Sequence, residues 1–291
     1  MNIIGTGLSG LVGSRIVELL KNNHVFEDLS LESGVDITKF DEVEKRLTAS
    51  SAPWVFHFAA FTDVQASEKE KDQGNESISW KVNVEATKNI ASVCQKLRKH
   101  VLYLSTDYVF DGKADVYNEE AVGNPQGWYA KTKYEGEKIV KDLRELGLVV
   151  RIANPYRSHP IGKKDFMHKI LERLQQGLPI AAPTNQKMTA TFIDDLAHGI
   201  EKLISIQATG VYNIPGADSF SPYEGAMMIA EVFRVDQKNI SKTTFEEYFA
   251  SRAPIPQYGV LTHDKIESLG IKVHTFREGL IEIKQMEEKI L

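Results

Sequence analysis

Asn2-Ile3-Ile4-Gly5-Thr6-Gly7-Leu8-Ser9-Gly10-Leu11-Val12-Gly13 opens with a short apolar run, a cluster of glycines and the start of a periodic segment. The apolar run reads as a strand. After it, Leu11, Val12, Ile16, Val17, Leu19 and Leu20 recur at helical spacing. Strand, glycine turn and helix together are what a bound pyrophosphate needs. Small residues let the backbone come close, and the helix start offers free N–H groups and the positive end of a dipole. The glycines fit Gly7-x-x-Gly10-x-x-Gly13, and Gly5, Gly7 and Gly10 also fit the commoner G-x-G-x-x-G. The reading is a dinucleotide-binding loop; the plainer alternative is a tight turn.

Outward from this loop, strand and helix patterns alternate. Val25–Leu29 reads as a second strand, 39–49 as a helix and Trp54–Ala60 as a buried strand. Residues 65–75 are polar, and one long helix follows, with Trp80, Val82, Val84, Ile90, Val93 and Leu97 on its apolar face. His100–Thr106 and Gly147–Ala153 are further strands, with a helix between them. Such alternation predicts an α/β fold with a doubly wound parallel sheet. Ligands of such sheets sit at the carboxyl edge. An acid at the end of the second strand suits the adenosine ribose and favours NADH; Asp28 is the better candidate and Glu27 the other. Arg15 is a rival signal for a 2′-phosphate, so NADPH and NADH both stay open. Asp36 either caps the following helix or turns towards the adenine. His57, mid-strand among apolar neighbours, reads as a core histidine, and Asn83 either bridges strands or faces solvent.

Past Asn154 the rhythm changes. Helices are expected at 164–176 and from Thr191 onward, a strand at Gly210–Ile214, and a capped helix at Ser221-Pro222-Tyr223. Residues 242–291 read as largely helical. The expected division is a dinucleotide-binding part, 1–153, to which segments near 190–215 return. A smaller, mostly helical substrate part follows at 154–291.

The 291 residues, 42% apolar and 26% charged, suit a globular protein with a real core. A net charge of −5 offers no strong field for nucleic acid. The single cysteine, Cys94, excludes an internal disulfide and sits in an apolar helical run as a core residue. No apolar run is long enough to span a membrane, and no signal peptide is seen, so the cytoplasm is the expected location. Eight scattered histidines make no metal motif, and there is no Gly-x-Ser-x-Gly elbow.

Tyr129 and Lys133 stand one helical turn apart, on one face. A cation beside a phenol favours the phenolate and lowers a pKa that starts near ~10. Such a tyrosine can exchange a proton with a carbonyl oxygen at neutral pH. With ten tyrosines in the chain, the pattern alone is weak, and Tyr134/Lys138 repeats it. Tyr134 is five residues beyond Tyr129, about 140° around the helix. Both rings therefore cannot face one ligand.

The glycine loop, a strand ending in Ser105-Thr106 and a helix opening at Tyr129 together resemble the extended short-chain dehydrogenase/reductase superfamily. Within it, the run Ser105-Thr106-Asp107-Tyr108-Val109-Phe110-Asp111-Gly112 is similar to the signature of dTDP-4-dehydrorhamnose reductases. So are Ala59-Ala60-Phe61-Thr62-Asp63-Val64, Tyr129-Ala130-Lys131-Thr132-Lys133 and Ser221-Pro222-Tyr223. The resemblance implies a Rossmann fold and an NADPH- or NADH-dependent reductase of a nucleotide-linked 4-keto sugar. In that role Tyr129 donates a proton, Lys133 holds the nicotinamide ribose and lowers the Tyr129 pKa, and Thr106 holds the reacting oxygen. Gly7, Gly10, Leu11, Val12 and Gly13 wrap the pyrophosphate. Asp36 and Ile37 flank the adenine; Ala59, Ala60 and Phe61 flank the cofactor's middle. Thr62, Val64, Asp107 and Tyr108 face the sugar. A homodimer is the assembly expected by analogy.

The chain departs from that pattern in its second half. Asn154 follows Arg151-Ile152-Ala153 where the family often has a tryptophan, so an amide replaces an aromatic wall of the sugar pocket. The runs Asn185–Thr191 and Ser251–Pro254 are also altered. Two other readings remain beside the reductase: a sugar-nucleotide epimerase or dehydratase of the same fold, and a non-catalytic subunit like the regulatory subunit of methionine adenosyltransferase.

Overall fold

The computed structural model describes residues 1–289. The last two residues of the 154–291 stretch lie outside it. Six strands form one sheet: β1 Asn2–Thr6, β2 Val25–Asp28, β3 Trp54–His57, β4 His100–Thr106, β5 Gly147–Ile152 and a last strand, Gly210–Asn213. They lie in the order β2-β1-β3-β4-β5 and then Gly210–Asn213, and every pairing is parallel. The expected α/β fold is the one observed.

The central strands are apolar on both sides because both sides are covered. Along β4, Val101 and Tyr103 enter one core, while Leu102 and Leu104 enter the other. Along β5, Val149 enters the first core, and Leu148, Val150 and Ile152 the second. Helices Phe40–Ala49, Ala86–Leu97 and Trp128–Lys141 cover one face through Val43, Leu47, Ile90, Val93 and Val140. Helices Leu11–Leu20 and Ile193–Ser205 cover the other through Ile16, Leu20, Leu196, Ile200 and Leu203. Truncating one such leucine to alanine costs about 2–5 kcal/mol. The segment 193–213 thus returns to the sheet, as expected.

A third core lies beyond the sheet's carboxyl edge. Tyr156, Met167, Leu171, Phe220, Ile229 and Phe276 join helices Phe166–Gln175, Pro222–Phe233 and Phe276–Glu288. Ser221 starts the second of these with a reciprocal cap: its hydroxyl accepts from Glu224 N, and the Glu224 carboxylate accepts from Ser221 N.

Two expectations need correction. The long helix after residue 75 is interrupted by a π-helical turn at Lys81–Glu85. The Thr87 hydroxyl bonds the Asn83 carbonyl there, and the buried Asn83 side chain bonds neighbouring elements instead of facing solvent. Residues 242–289 are less helical than expected. Only Phe245–Phe249, Asp264–Glu267 and Phe276–Glu288 are helices there, and the stretch between the first two is largely irregular. Pro254 and Pro256 each remove a backbone donor and fix φ in that stretch.

Candidate active site

Strand order reverses between β1 and β3, so the connections after them diverge and leave a crevice at their carboxyl ends. The glycine turn after β1 fills one lip. Gly7 has φ +65°, and a Cβ on it would come within 2.6 Å of the Ala59 nitrogen. A Cβ on Gly13 would strike the Gly7 carbonyl, so only glycine lets the helix pack this close to the turn. Gly10 is the N-cap of Leu11–Leu20 and has no side chain to cap it. A Cβ there would meet only the Gly7 carbonyl, at 3.3 Å, so its outer face is open. The first-turn N–H groups have no intrahelical partner. This cradle fits the pyrophosphate of a nicotinamide dinucleotide.

A cavity of about 600 Å³ runs from the turn across the sheet edge. Gly7, Gly10, Leu11, Val12 and Gly13 line one end. Ala59, Ala60, Thr62 and Val64 line its middle, and Thr106, Asp107, Tyr108, Tyr129, Lys133 and Asn154 the other end. Four expected cofactor residues are not brought into this wall. Asp28 accepts a hydrogen bond from the Ser30 hydroxyl. Asp36 closes a local turn, accepting from Thr38 N at 3.0 Å and from the Thr38 hydroxyl at 2.7 Å. These bonds hold its carboxyl below the usual range. Ile37 gives its carbonyl to Asn89, and the Phe61 backbone is held by Asn83. Arg15 is also elsewhere: it is buried and paired with Asp194, so the expectation that it meets a 2′-phosphate is withdrawn.

Tyr129 opens helix Trp128–Lys141 with a part-buried ring, and the Tyr108 ring stands edge-on to it, 6.1 Å away at 86°. Burial raises its pKa, the Asp107 carboxylate adds to the rise, and the Thr106 hydroxyl opposes it. Lys133 is not among the groups that move it. Its ammonium donates to the Leu104 carbonyl at 2.8 Å, and burial brings it down to about 7. The direction for Tyr129 is thus a rise, where the resemblance implied a lowering by Lys133. Tyr134 packs against Gly123, outside the cavity wall, which leaves Tyr129 as the tyrosine of the pair.

Thr106 ends β4 and caps the turn Asp107–Val109. Its hydroxyl accepts from Tyr108 N at 3.3 Å and donates to an Asp107 carboxylate oxygen at 3.0 Å. Asp107 is buried, and burial lifts its pKa to about 7. Gly259 makes room for it, since a Cβ there would lie 2.7 Å from the Asp107 carboxylate. His57 is a core residue, as read: Thr6 and Thr87 hold its two nitrogens at 2.8 Å each, and burial lowers it to about 3.

A second cavity, of about 610 Å³, meets the first at Asp107, Tyr108 and Asn154. Lys169, Arg173, Lys187 and Arg252 give its wall four cations, against the single carboxyl of Asp107. Phe166, Tyr248 and Phe249 add aromatic surface. Asn154 sits at φ +41° and donates to the Thr189 carbonyl at 3.0 Å.

Some supporting residues are not apparent in the sequence. The side chain of Asn83 accepts from Phe61 N at 2.8 Å and donates to the Thr132 hydroxyl at 2.8 Å, tying the β3 connection to the Tyr129 helix. Gly127 cannot cap that helix, and the Glu68 carboxylate accepts from Trp128 N at 2.8 Å instead. A carboxylate at a helix start also suits the dipole. Ser105 donates to Glu137 at 2.9 Å, and Glu137 is paired with buried Arg151. Serine at position 105 was visible as part of a motif, but its partners on other elements gave no local signal.

A doubly wound sheet that sets a tyrosine and a lysine one helical turn apart above its switch point is the mark of the extended short-chain dehydrogenase/reductases. Within that class the chain belongs to the family described as RmlD substrate binding domain, whose model matches residues 1–288. A dTDP-4-keto-6-deoxy-D-glucose reductase of Streptomyces niveus is 29% identical over 270 residues, 91% of this chain and 90% of that protein. Methionine adenosyltransferase 2 subunit beta of Xenopus laevis is 29% identical over 305 residues, covering 95% and 85%. A dTDP-4-dehydrorhamnose reductase of Bacillus anthracis, solved with NADP, superposes with a TM-score of 0.88 at 26% identity, covering 98% of this chain and 99% of that one. No helix among the described residues is long and apolar enough to cross a membrane.

Proposed function

We propose that this protein reduces the 4-keto group of a nucleotide-linked 6-deoxysugar, with NADPH or NADH as the hydride source. The observation that carries the reading is the meeting of two cavities at Asp107, Tyr108 and Asn154, beside Tyr129 and Thr106. A reduced nicotinamide held along the first cavity would supply the hydride for the sugar's C4. Tyr129 passes its phenolic proton to the C4 oxygen, so the ketone becomes an alcohol and the phenol a phenolate, later reprotonated from solvent. A phenol is protonated at neutral pH, the form a proton donor needs. Thr106 holds the oxygen in line, and Lys133 holds the nicotinamide ribose.

The cationic second cavity supports the nucleotide-sugar assignment. Guanidinium and ammonium groups suit a diphosphate, and the aromatic rings offer a face for a base. Asn154, at the junction of the two cavities, offers an amide to a sugar hydroxyl. The same reading places the protein in the cytoplasm, as a homodimer, with no nucleic acid or membrane as partner.

The test is NADPH and NADH oxidation with a panel of nucleotide-linked 4-keto-6-deoxysugars. Turnover of at least one is expected. The similarity to a methionine adenosyltransferase subunit favours a non-catalytic second reading. No turnover across the panel, with a stable complex with a methionine adenosyltransferase, would select it.

A further inference from the structure

The first cavity carries two cations on its wall, Lys133 and Lys163. Lys133 is buried and committed to the Leu104 carbonyl. Lys163 is exposed, and its nearest polar partner is the Thr62 hydroxyl at 3.4 Å, a weak contact. Among the described residues no carboxylate lies within 4.0 Å of its ammonium, whereas its neighbour Lys164 is paired with Glu172 at 2.8 Å. An unpaired ammonium over a cavity that opens with a phosphate cradle has an obvious ligand chemistry, a phosphate oxygen.

The loop that carries Lys163 is anchored at both ends and exposed between them. Arg157 N donates to the Asp165 carboxylate at 3.2 Å and so closes the loop's base. The Arg157 guanidinium reaches back to Ser14 at 2.8 Å and Glu18 at 3.0 Å, both on the helix that follows the glycine turn. Asp165 is buried and caps helix Phe166–Gln175. Between these anchors, His159 and Gly162 take left-handed conformations, Ile161 is 61% exposed, and a Cβ on Gly162 would meet nothing. Arg157 therefore ties the loop to the glycine-turn helix itself, and Lys163 rides on its exposed part, between His159, whose N donates to Glu287 at 3.3 Å, and Lys164.

The geometry points to Lys163 as a phosphate clamp. Carried on the 158–164 loop, it closes over the first cavity by pairing its ammonium with the pyrophosphate of the bound dinucleotide. This rests on the reading of that cavity as a dinucleotide site, but not on turnover. The glycine turn offers backbone donors and a dipole but no full charge, and Lys163 supplies one. The diphosphate of the nucleotide sugar is the other source of the same chemistry. The dinucleotide is favoured because Lys163 lines the cavity of the glycine turn and not the cationic one.

The experiment measures binding to the full chain by fluorescence titration, with NADPH, NADH, dihydronicotinamide riboside and thymidine diphosphate as probes. Lys163→Ala should weaken NADPH and NADH about tenfold, the size of one charge-assisted hydrogen bond, and flatten the salt dependence of both affinities. Lys163→Arg should restore most of the loss. Affinity for the riboside, which has no phosphate, and for thymidine diphosphate should not change. Lys164→Ala, on the same loop, should bind as the parent does. Unchanged NADPH affinity in Lys163→Ala overturns the clamp. A loss confined to thymidine diphosphate moves Lys163 to the substrate and overturns the dinucleotide assignment. An equal loss in Lys164→Ala reduces the effect to general loop charge and overturns it too. Failure of the proposed reduction would instead appear as absent turnover with these affinities intact.

Discussion

The Lys133 ammonium donates a 2.8 Å hydrogen bond to the Leu104 carbonyl, and it lies 4.0 Å from the centre of the Tyr103 ring. Leu104 is on β4, two residues before Thr106, so the bond locks the catalytic helix to the strand that delivers the threonine. Burial lowers the Lys133 pKa to about 7, with Glu137 opposing. In this state the lysine is a fastener.

Lys133 should cost stability at low pH and stop costing it at high pH. Its folded pKa is depressed from 10.5 to about 7, so between these values the unfolded chain binds more protons, and stability rises with pH. Lys133→Met should gain most on the parent below pH 7. The gap should then narrow by up to about 1.4 kcal/mol per pH unit through the window. Urea unfolding of both proteins at several pH values measures this. A gap independent of pH would mean that the buried lysine keeps an ordinary pKa.

Tyr129→Phe should reduce the rate of sugar reduction by about 10²–10⁴-fold while NADPH affinity stays within reach of the parent, because the ring remains and the acid is gone. Tyr134→Phe should change neither, since its ring lies against Gly123 outside the cavity. Steady-state rates and dinucleotide titrations on both variants make the comparison. The reverse pattern would reassign the proton donor.

Asp107 works in the opposite sense to Lys133. Burial raises its pKa from 3.8 to about 7, so the folded chain binds the extra proton between these values, and stability falls as pH rises through them. Asp107→Asn keeps an oxygen to accept from Thr106 and carries no charge. It should be more stable than the parent at pH 8, with little difference at pH 4. Thermal unfolding at the two values tests this, and an equal shift at both would leave Asp107 without an altered pKa. Activity should fall in the variant, because the carboxyl sits where the two cavities meet.

The sheet was legible because its central strands had to be apolar on both faces and helical periodicity ran between them. His100–Thr106 was placed to the residue for that reason. The glycine turn was legible because a backbone approach such as Gly7 to Ala59 admits no side chain. Other parts of the site depend on partners distant in sequence. Nothing local to Glu68 says that it caps a helix starting at Trp128, and nothing local to Asn83 says that it holds the Phe61 backbone. The bond from Lys133 to Leu104 was hidden for a related reason. Helical spacing puts two side chains on one face, but it does not reveal a carbonyl on a neighbouring strand that competes for the ammonium. The stretch after Phe249 was read as helical although Pro254 and Pro256 disfavour a helix there; Ile255, Pro256 and Gly259 line the second cavity instead.

Arg15 separates cofactor choice from structure. It follows the glycine turn, where a cation suggests a 2′-phosphate site, yet its guanidinium donates to Asp194 at 2.8 and 2.6 Å and to Glu18 at 2.8 Å. The Arg15 and Asp194 side chains are only 10% and 8% exposed, so the pair joins two helices on the same face of the sheet. Arg15→Met alone should destabilise by about 3–5 kcal/mol, because it strands the Asp194 carboxylate. Adding Asp194→Leu should recover much of that loss, since an apolar pair of similar volume needs no partner charge. The double variant is the one to test for cofactor choice, because it keeps the fold. Its ratio of NADPH to NADH affinity should equal the parent's. A fall in NADPH affinity with NADH binding intact would show that Arg15 leaves Asp194 to meet the 2′-phosphate.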